Sequence, residues 1–307
     1  MSDPIIKFIR HRGHDVIHEN PDDFGFESMT RMFDGKMNGI QTVVEEEIDF
    51  VLLQADCRSL DWLKTNGKPP GWKKVLITIH VSPIEFNSYA FWRHLDCEHI
   101  DGIYCHGTQN AEIFCFMDKP IITGFAPYKM LNLPRKNKKT KACLNIKDFK
   151  DKNVNLLGTL SVFKLLKIPG VVSIHPGLYH KYHDLMIELI DKFKLDIKIL
   201  PKFNSRKEYL YEISDCQIMI NMDIRWGQRV VMDAVENRMI CIGAWNALQE
   251  IFYKDYTVQN HEVLKAFKIA EKVINNYKEY EPPDMNFMSP DTVKKKLLEN
   301  LHEAFKI

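Results

Sequence analysis

Three lysines follow a short apolar run, residues 142–146, in the second half of the chain. The run ACLNI has the length and apolar character of a buried strand, and Lys147, Lys150 and Lys152 come directly after it, ahead of a helical stretch. Ammonium groups and the free N–H groups of a helix N-terminus both attract anions, so this cluster suits a phosphate. The alternative interpretation is a solvated surface loop, since loops rich in Lys and Asp are common.

A second group of polar side chains follows the apolar run 217–221. Arg225 and Gly227 come after the run and lead into a helical pattern, in which Asp233 lies one turn after Arg229. Gly227 allows a ligand to approach the backbone closely, and the helix offers its N-terminus. The Asp233 carboxylate could accept hydrogen bonds from two sugar hydroxyls. The alternative is a structural salt bridge between Asp233 and Arg229.

His80 ends another predicted strand, residues 75–80. Open parallel sheets bind ligands beyond the carboxyl ends of their strands, and a histidine there can exchange a proton near neutral pH. The alternative is a buried histidine that hydrogen-bonds to backbone. His175, His180 and His183 lack the converging ligand set of a zinc site and are interpreted as loop and helix-surface residues, so no metal site is predicted.

Alternating strand and helix patterns must position these residues. Short apolar runs rich in β-branched residues alternate with longer amphipathic stretches, which predicts an α/β fold with parallel sheets. In the first half, strands are predicted at residues 15–17, 50–54, 75–80, 102–105 and 120–123. Helices are predicted near residues 4–11, 26–46, 84–97 and 110–117.

A linker is predicted at residues 133–141, LPRKNKKTK, which have neither periodicity nor an apolar face. Beyond it, strands are predicted at residues 142–146, 171–175, 197–200, 217–221, 239–243 and 256–258, separated by helices such as 182–193 and 206–213. A last helix opens with Ser-Pro-Asp at residue 289. We therefore expect two Rossmann-like domains, residues 1–132 and 133–288, with a cleft between them and a C-terminal helix, residues 289–307.

The composition limits which partners and which cellular compartment are expected. The 307 residues carry a formal net charge of +1, so no strong field favours a polyanionic partner. The seven cysteines are scattered without C-x-x-C spacing, which indicates reduced thiols. No run approaches the roughly 18 apolar residues of a transmembrane segment, and the N-terminus lacks a signal-peptide pattern. We therefore expect a cytoplasmic protein.

The order of these features resembles the retaining glycosyltransferases of family 4, which have the GT-B fold. In that family, an Arg at the end of the first strand of the C-terminal domain and a Lys five residues later clamp the donor diphosphate. Lys147 and Lys152 have that spacing, with Lys in place of Arg. The family also carries a loop of type E-G-F-G, and a Glu eight residues after the first Glu holds the donor ribose. Asp233 matches the ribose-binding Glu, and Arg225 replaces the first Glu, which in the family contacts the transferred sugar.

The resemblance extends over most of the chain. The segment LPKFNSRKEYLYEISDCQIMIN is similar to the family segment that borders the nucleobase, which makes Lys202 and Phe203 candidates for base contact. Phe203 has the alternative role of a core aromatic. VLITIHVSP resembles the strand whose terminal His faces the donor sugar, which is His80 here. The family begins with a strand and a Gly-rich turn, and nothing before the RGHDV segment at residue 12 is predicted to supply both. We therefore expect a trimmed first sheet, braced by the C-terminal helix.

The activity that the resemblance implies is transfer of a sugar from a nucleotide-activated donor, UDP- or GDP-linked, to an acceptor hydroxyl. Retention of anomeric configuration comes from the family alone. The two lysines would stabilise the leaving diphosphate without an obligatory metal or other cofactor, and no D-x-D motif for a metal-bound diphosphate is present. The implied catalytic residues are His80, Lys147 and Lys152, and the implied donor-binding residues are Lys202, Phe203, Arg225, Gly227, Arg229 and Asp233.

The acceptor stays open. A saccharide or glycan is the default of the family, but the RGHDV segment also resembles phage enzymes that glucosylate hydroxymethylated DNA bases. The linker supplies cations that could meet phosphates of modified DNA, namely Arg135, Lys136, Lys138, Lys139 and Lys141. The near-neutral charge argues against DNA.

Two other classes of protein remain. One is a GT-B-like sugar-nucleotide epimerase, which would need an acid and a base at the sugar, with His80 as the one obvious candidate. The other is a non-catalytic sugar-nucleotide binding protein, which would explain Arg225 and a missing first strand together. Product analysis discriminates these classes.

Overall fold

The computed structural model describes residues 4–10, 14–15, 29, 32–33, 36–55, 57–79, 97–106, 111–112, 114–128, 130–146, 155–222 and 227–306. The chain divides into two compact units. The first comprises Met1–Lys129 and Met285–Ile307, and the second comprises Met130–Asp284.

The first unit is built on a seven-stranded sheet with the order β2-β3-β1-β4-β5-β6-β7. Its strands are β1 (Ile6–Arg10), β2 (His14–Asp15), β3 (Lys36–Gly39), β4 (Ile48–Gln54), β5 (Trp72–Ile79), β6 (Gly102–His106) and β7 (Ile121–Gly124). Neighbouring strands are parallel except for the pair β2 and β3, which is antiparallel. Its helices are α1 (Ile40–Val43), α2 (Cys57–Asn66) and α9 (Pro290–Phe305).

β1 corrects two expectations about the N-terminus. Residues 4–11 are not a helix, because β1 lies between β3 and β4 with both neighbours parallel to it. Phe8 and Ile9 are both fully buried, in apolar clusters on opposite faces of the sheet. Only an extended backbone sends consecutive side chains to opposite faces. A strand therefore does precede residue 12, contrary to the expectation of a trimmed first sheet. The helix predicted over residues 26–46 is interrupted by β3.

The C-terminal helix α9 packs on the sheet of the first unit. Ser289 caps its N-terminus by accepting from the N–H of Thr292, and Pro290 occupies the first turn, where its missing N–H costs nothing. One face is apolar, and Leu297 and Leu301 lie in the cluster that contains Phe8. The prediction that the last helix packs back on the first domain is confirmed.

Gly124, the last residue of β7, leaves room for the buried side chain of Tyr104. A Cβ at this position would collide with the Tyr104 hydroxyl and crowd its ring. Gly124→Ala is expected to lower the free energy of unfolding by about 1–3 kcal/mol, because overpacking forces a buried side chain from its rotamer. Urea unfolding measures the change. Gly177→Ala is the control, since its Cβ would meet nothing nearer than 3.5 Å, and equal stability of the two variants would contradict the expectation.

The second unit is built on a six-stranded parallel sheet with the order β10-β9-β8-β11-β12-β13. Its strands are β8 (Lys139–Ile146), β9 (Gly170–Ile174), β10 (Ile197–Ile199), β11 (Cys216–Asn221), β12 (Ile240–Ala244) and β13 (Thr257–Val258). Its helices are α3 (Leu156–Leu166), α4 (Tyr179–Phe193), α5 (Arg206–Ile213), α6 (Gly227–Glu236), α7 (Ala247–Tyr253) and α8 (Val263–Asn275). The predicted α/β class with two parallel-sheet domains is confirmed.

The strand order of the second unit has a functional meaning. The first strand along the chain, β8, lies in the middle, with the second and third on one side and the fourth to sixth on the other. This is the Rossmann order, whose strand sequence reverses direction between the first and fourth strands. The reversal here falls between β8 and β11, which are hydrogen-bonded neighbours.

The basic residues of the predicted linker contact the second unit itself. Residues 139–141 belong to β8, so the linker prediction is wrong for its last three positions. Four of the five basic residues lie near acidic side chains: Arg135 with Glu279, Lys136 with Glu212, and both Lys139 and Lys141 with Asp215. Lys138 donates instead to the carbonyls of Ser214, Cys216 and Asn237 at 2.9, 2.8 and 2.6 Å. Binding of DNA phosphates by this segment is therefore not supported.

The start of the second unit is fastened to α6. The carboxylate of Glu236 accepts from the backbone N–H of Leu131 at 2.9 Å and of Asn132 at 2.7 Å. Glu236 is buried, and Asn132 has a φ of 49°, in the left-handed region. Successive N–H groups that converge on one anion form a backbone nest. Glu236 therefore fixes the path of residues 131–132.

Candidate functional site

The candidate site lies at the carboxyl ends of β8 and β11, where the strand order of the second unit reverses. At such a reversal, the connections from the two neighbouring strands lead to helices on opposite faces of the sheet. A crevice that can bind a ligand is left between these connections. Asn145 stands next to last in β8, and Asn221 is the last residue of β11. Side chains from α5 and α6 lie in the same region.

Asp233 on α6 forms a buried ion pair with Arg206, the first residue of α5. Nε of Arg206 lies 3.1 Å from Oδ1 of Asp233, and Nη2 lies 2.7 Å from the same oxygen. The two side chains are only 4% and 1% exposed. Within the described part of the chain, no group hydrogen-bonds the other carboxylate oxygen, Oδ2. A buried charged oxygen is thus left as an acceptor without a donor.

The pair replaces the salt bridge from Asp233 to Arg229 that the sequence offered as an alternative. The sequence indicates an ion pair for Asp233, but its partner lies 27 residues away in the chain rather than one turn away on the same helix. Arg229 lies on the first turn of α6 and is partly buried. The structure therefore joins α5 to α6 through the carboxylate of Asp233.

The start of α5 is fixed by two side-chain hydrogen bonds that resemble a capping box, except that the second comes from the residue before the N-cap. The hydroxyl of Ser205 accepts from the N–H of Glu208, and the Glu208 carboxylate accepts from the N–H of Asn204 at 3.1 Å. This places Arg206 in the first helical turn. A cation there opposes the helix dipole, so Asp233 provides the charge that balances it.

Tyr209, one turn after Arg206, connects the ion pair to β8. Its hydroxyl accepts from Nδ2 of Asn145 at 3.4 Å. Burial, together with the charge of Asp233, raises the pKa of Tyr209 well above its usual value, so it stays a neutral phenol. The ring of Phe203 lies 5.8 Å from the ring of Tyr209. The loop before α5, the ion pair and the end of β8 therefore form one packed group.

Asn221 adds a second unsatisfied polar atom. Asn221 is only 5% exposed. None of the described residues accepts a hydrogen bond from its side-chain nitrogen, Nδ2. Gly243 is its partner in β12, and a Cβ there would lie 2.6 Å from the Asn221 carbonyl oxygen. Buried polar groups without partners are rare in native proteins and call for an explanation.

The described part of the chain includes five of the nine predicted site residues. Asp233 is in the ion pair, and Gly227 and Arg229 lie in the first turn of α6. In the loop after β10, Lys202 is exposed, whereas Phe203 is buried. Four predicted residues lie outside the described ranges: His80, Lys147, Lys152 and Arg225.

The structure also identifies residues that the sequence interpretation missed, namely Arg206, Tyr209, Asn145 and Asn221. One signal was available for the first of them. The helix dipole disfavours an arginine directly after an N-cap serine by about 0.3–1 kcal/mol, so its presence is a weak signal of a neighbouring anion. The asparagines carried no signal, because Asn at a strand end is also common in turns.

Within the described ranges, no group of three or more His, Cys, Asp and Glu side chains is arranged to hold a metal ion. His175 accepts from the N–H of Gly177 at 3.2 Å, and His183 lies 3.0 Å from its neighbour Asp184. These two histidines therefore make local contacts. Of the helices described, none has both the length and the apolar character to cross a membrane.

Three of the solved structures that resemble this chain illustrate the match. A variant of S. aureus TarM in complex with Fondaparinux, α-GlcNAc-glycerol and UDP has a TM-score of 0.60 and 13% identity, over 86% of this chain and 54% of TarM. The pneumococcal O-GlcNAc transferase GtfA, in complex with UDP and GlcNAc, has a TM-score of 0.61 and 11% identity, over 88% of this chain and 60% of GtfA. A UDP-forming α,α-trehalose-phosphate synthase from Burkholderia xenovorans has a TM-score of 0.65 and 10% identity, over 86% and 76%.

These similarities establish the fold. The two parallel-sheet units have the GT-B architecture that the sequence motifs led us to expect. No protein-family model matches the chain, and no curated protein matches it. The chain spans only 54% and 60% of the lengths of TarM and GtfA.

Proposed function

We propose that this chain is a glycosyltransferase that binds a nucleotide-activated sugar at the carboxyl ends of β8 and β11. The Rossmann strand order, the unsatisfied polar atoms at the reversal point and the motifs of the second half all support this proposal. The GT-B fold adds to it, since TarM and GtfA were solved with UDP bound. UDP is therefore the nucleotide that we propose.

The observation that carries the proposal is that Oδ2 of the buried Asp233 carboxylate has no hydrogen-bond donor among the described residues. Leaving a buried charged acceptor without a donor costs more than an ordinary hydrogen bond contributes, so such an atom indicates a missing partner. The ribose of a nucleotide offers two adjacent hydroxyl donors. Asp233 also stands where the resembling family has its ribose-binding Glu. We assign the ribose to Oδ2 of Asp233.

The remaining roles follow the motifs. Lys147 and Lys152 would neutralise the donor diphosphate, whose charge grows as it leaves, and the N-terminus of α6 at Gly227 would add partial positive charge. His80 would face the transferred sugar. This chemistry needs no obligatory metal, and retention of configuration is carried over from the resembling family. We propose a saccharide or glycan as acceptor.

The base would lie beside the loop after β10. Of the two residues assigned to it, Lys202 is better placed to contact the base, because its side chain is exposed. Phe203 is buried against Tyr209 and is proposed to support the loop from below. Arg225 and Arg229 would contact the donor from the loop and first turn of α6.

The competing proposal of a non-catalytic binding protein loses one of its two supports. It was based on Arg225 and on a missing first strand, and β1 supplies a strand in the centre of the first sheet. Arg225 alone does not favour it over an enzyme. Both proposals predict nucleotide binding, and only the enzyme predicts turnover.

Titration calorimetry with UDP, GDP and ADP tests the donor site, and incubation with UDP-sugars and a panel of saccharides tests transfer. We expect UDP to bind and to be released together with a glycosylated product. An isomerised UDP-sugar would identify an epimerase instead. Absence of binding by every nucleotide, in a protein shown by circular dichroism to be folded, would refute the assignment of the site.

A further inference from the structure

We infer that Arg206 is a positioning residue, which holds Asp233 by one oxygen and presents the other to the nucleotide ribose. This inference rests on the proposed function and names a residue that the motifs do not. Arg206 lies on α5, outside the segment of Arg225 to Asp233 that resembles the family's donor loop and helix.

The geometry of the ion pair is asymmetric. A guanidinium and a carboxylate commonly pair fork to fork, with each nitrogen on a different oxygen. Here both Nε and Nη2 donate to Oδ1, at 3.1 and 2.7 Å. Two donors on one oxygen fix the rotation of the carboxylate about its own axis. Oδ2 is thereby held in one direction, although it accepts no hydrogen bond from any described residue.

The arrangement is poorly explained by stability alone. Both side chains are removed from water, which costs several kcal/mol per ion in general and is repaid only when all lone pairs are satisfied. Oδ2 is not satisfied by any described group. Arg206 also stands in the first turn of α5, where the helix dipole opposes a cation. A ligand hydroxyl on Oδ2 would complete the pair.

A lysine ammonium group in place of this guanidinium would not fix the orientation of the Asp233 carboxylate. The guanidinium offers two donors in a rigid plane, whereas a lysine ammonium is one point charge on a flexible stem. Arg206→Lys therefore keeps the charge next to Asp233 but releases its orientation. The interaction that should weaken is the one with the ribose hydroxyls, and contacts to the base and diphosphate should persist.

The test compares UDP with 2′,3′-dideoxy-UDP, which lacks both ribose hydroxyls. Dissociation constants are measured by calorimetry for the wild type, Arg206→Lys and a control, Arg135→Lys, whose ion pair with Glu279 lies in the same unit and is partly exposed. The wild type and the control should bind UDP at least about 10-fold more tightly than the dideoxy analogue. Arg206→Lys should bind both equally, with unchanged affinity for the analogue.

The outcomes separate the two proposals. A folded wild type that binds no nucleotide refutes the proposed function and the inference with it. A wild type that prefers UDP, together with an Arg206→Lys variant that keeps the same preference, refutes only the inference and makes Arg206 a structural residue. Should Arg206→Lys fail to fold, Arg206→Gln retains a neutral donor to Oδ1 and is subject to the same comparison, with the same preference again refuting the inference.

Discussion

Asp233→Ala is expected to weaken UDP binding by about 100-fold or more, the largest effect of any single substitution in the candidate site. The variant loses the acceptor proposed for the ribose hydroxyls. It also removes one partner of the buried ion pair with Arg206, and breaking such a pair generally costs about 3–5 kcal/mol of stability. Calorimetry with UDP measures the first effect, and thermal unfolding without ligand measures the second.

Asp233→Asn separates binding from stability, because the amide oxygen can still accept from Arg206 while the amide nitrogen replaces Oδ2. We expect this variant to unfold nearer to the wild type than Asp233→Ala, and to bind UDP about 10-fold more weakly than the wild type. An Asp233→Asn protein with wild-type affinity would contradict the role of Oδ2 as a ribose acceptor. Such a result would return Asp233 to a purely structural position.

Lys138→Met is expected to destabilise the second unit by about 2–4 kcal/mol, the largest effect on folding outside the site. Its ammonium group donates to three carbonyls, those of Ser214, Cys216 and Asn237, and these residues are all buried. Hydrogen bonds from a charged donor contribute more than neutral ones, and the variant leaves three acceptors without this donor. Urea unfolding followed by circular dichroism gives the change.

The neighbouring Lys139 provides the matched control. Its side chain is 72% exposed, and its nearest acidic atom, on Asp215, lies 3.9 Å away. Lys139→Met should change stability by no more than about 0.5 kcal/mol, since exposed ion pairs contribute little. If both variants lost the same stability, the effect would come from the substitution of lysine in this segment and not from the three carbonyls.

The helices and strands of the second unit could be predicted well from the sequence. The helix predicted over residues 206–213 coincides with α5, because a capping serine opens it and apolar side chains recur at helical spacing. The six predicted strands of this unit all correspond to strands of the sheet. Buried parallel strands are continuous apolar runs, which are easy to recognise when turns bound them.

The N-terminal segment could not be predicted in the same way. Residues 4–11 mix Ile and Phe with Lys and Arg in a pattern too short to separate a helix from a strand. What decides is the pairing of β1 with β3 and β4, whose residues are distant in the sequence. Pairing between strands that are distant in the sequence cannot be recognised from the local pattern of residues.

The same limit applies to the candidate site. Asp233 was identified from its place in a helix after a glycine, which is local information. Its partner Arg206 was not, because contact across 27 residues depends on how α5 and α6 pack. The sequence motifs therefore led to the carboxylate, and the structure was needed to show which of its oxygens is engaged.

The helix α6 carries two anchors less than one turn apart. Asp233 faces the candidate donor site, and Glu236 grips the backbone of Leu131 and Asn132, where the chain enters the second unit. Asp233 and Glu236 are three residues apart on the same helix, about 4.5 Å along its axis. We therefore expect a shift of the backbone at residues 131–132 to change the position of Asp233 through α6.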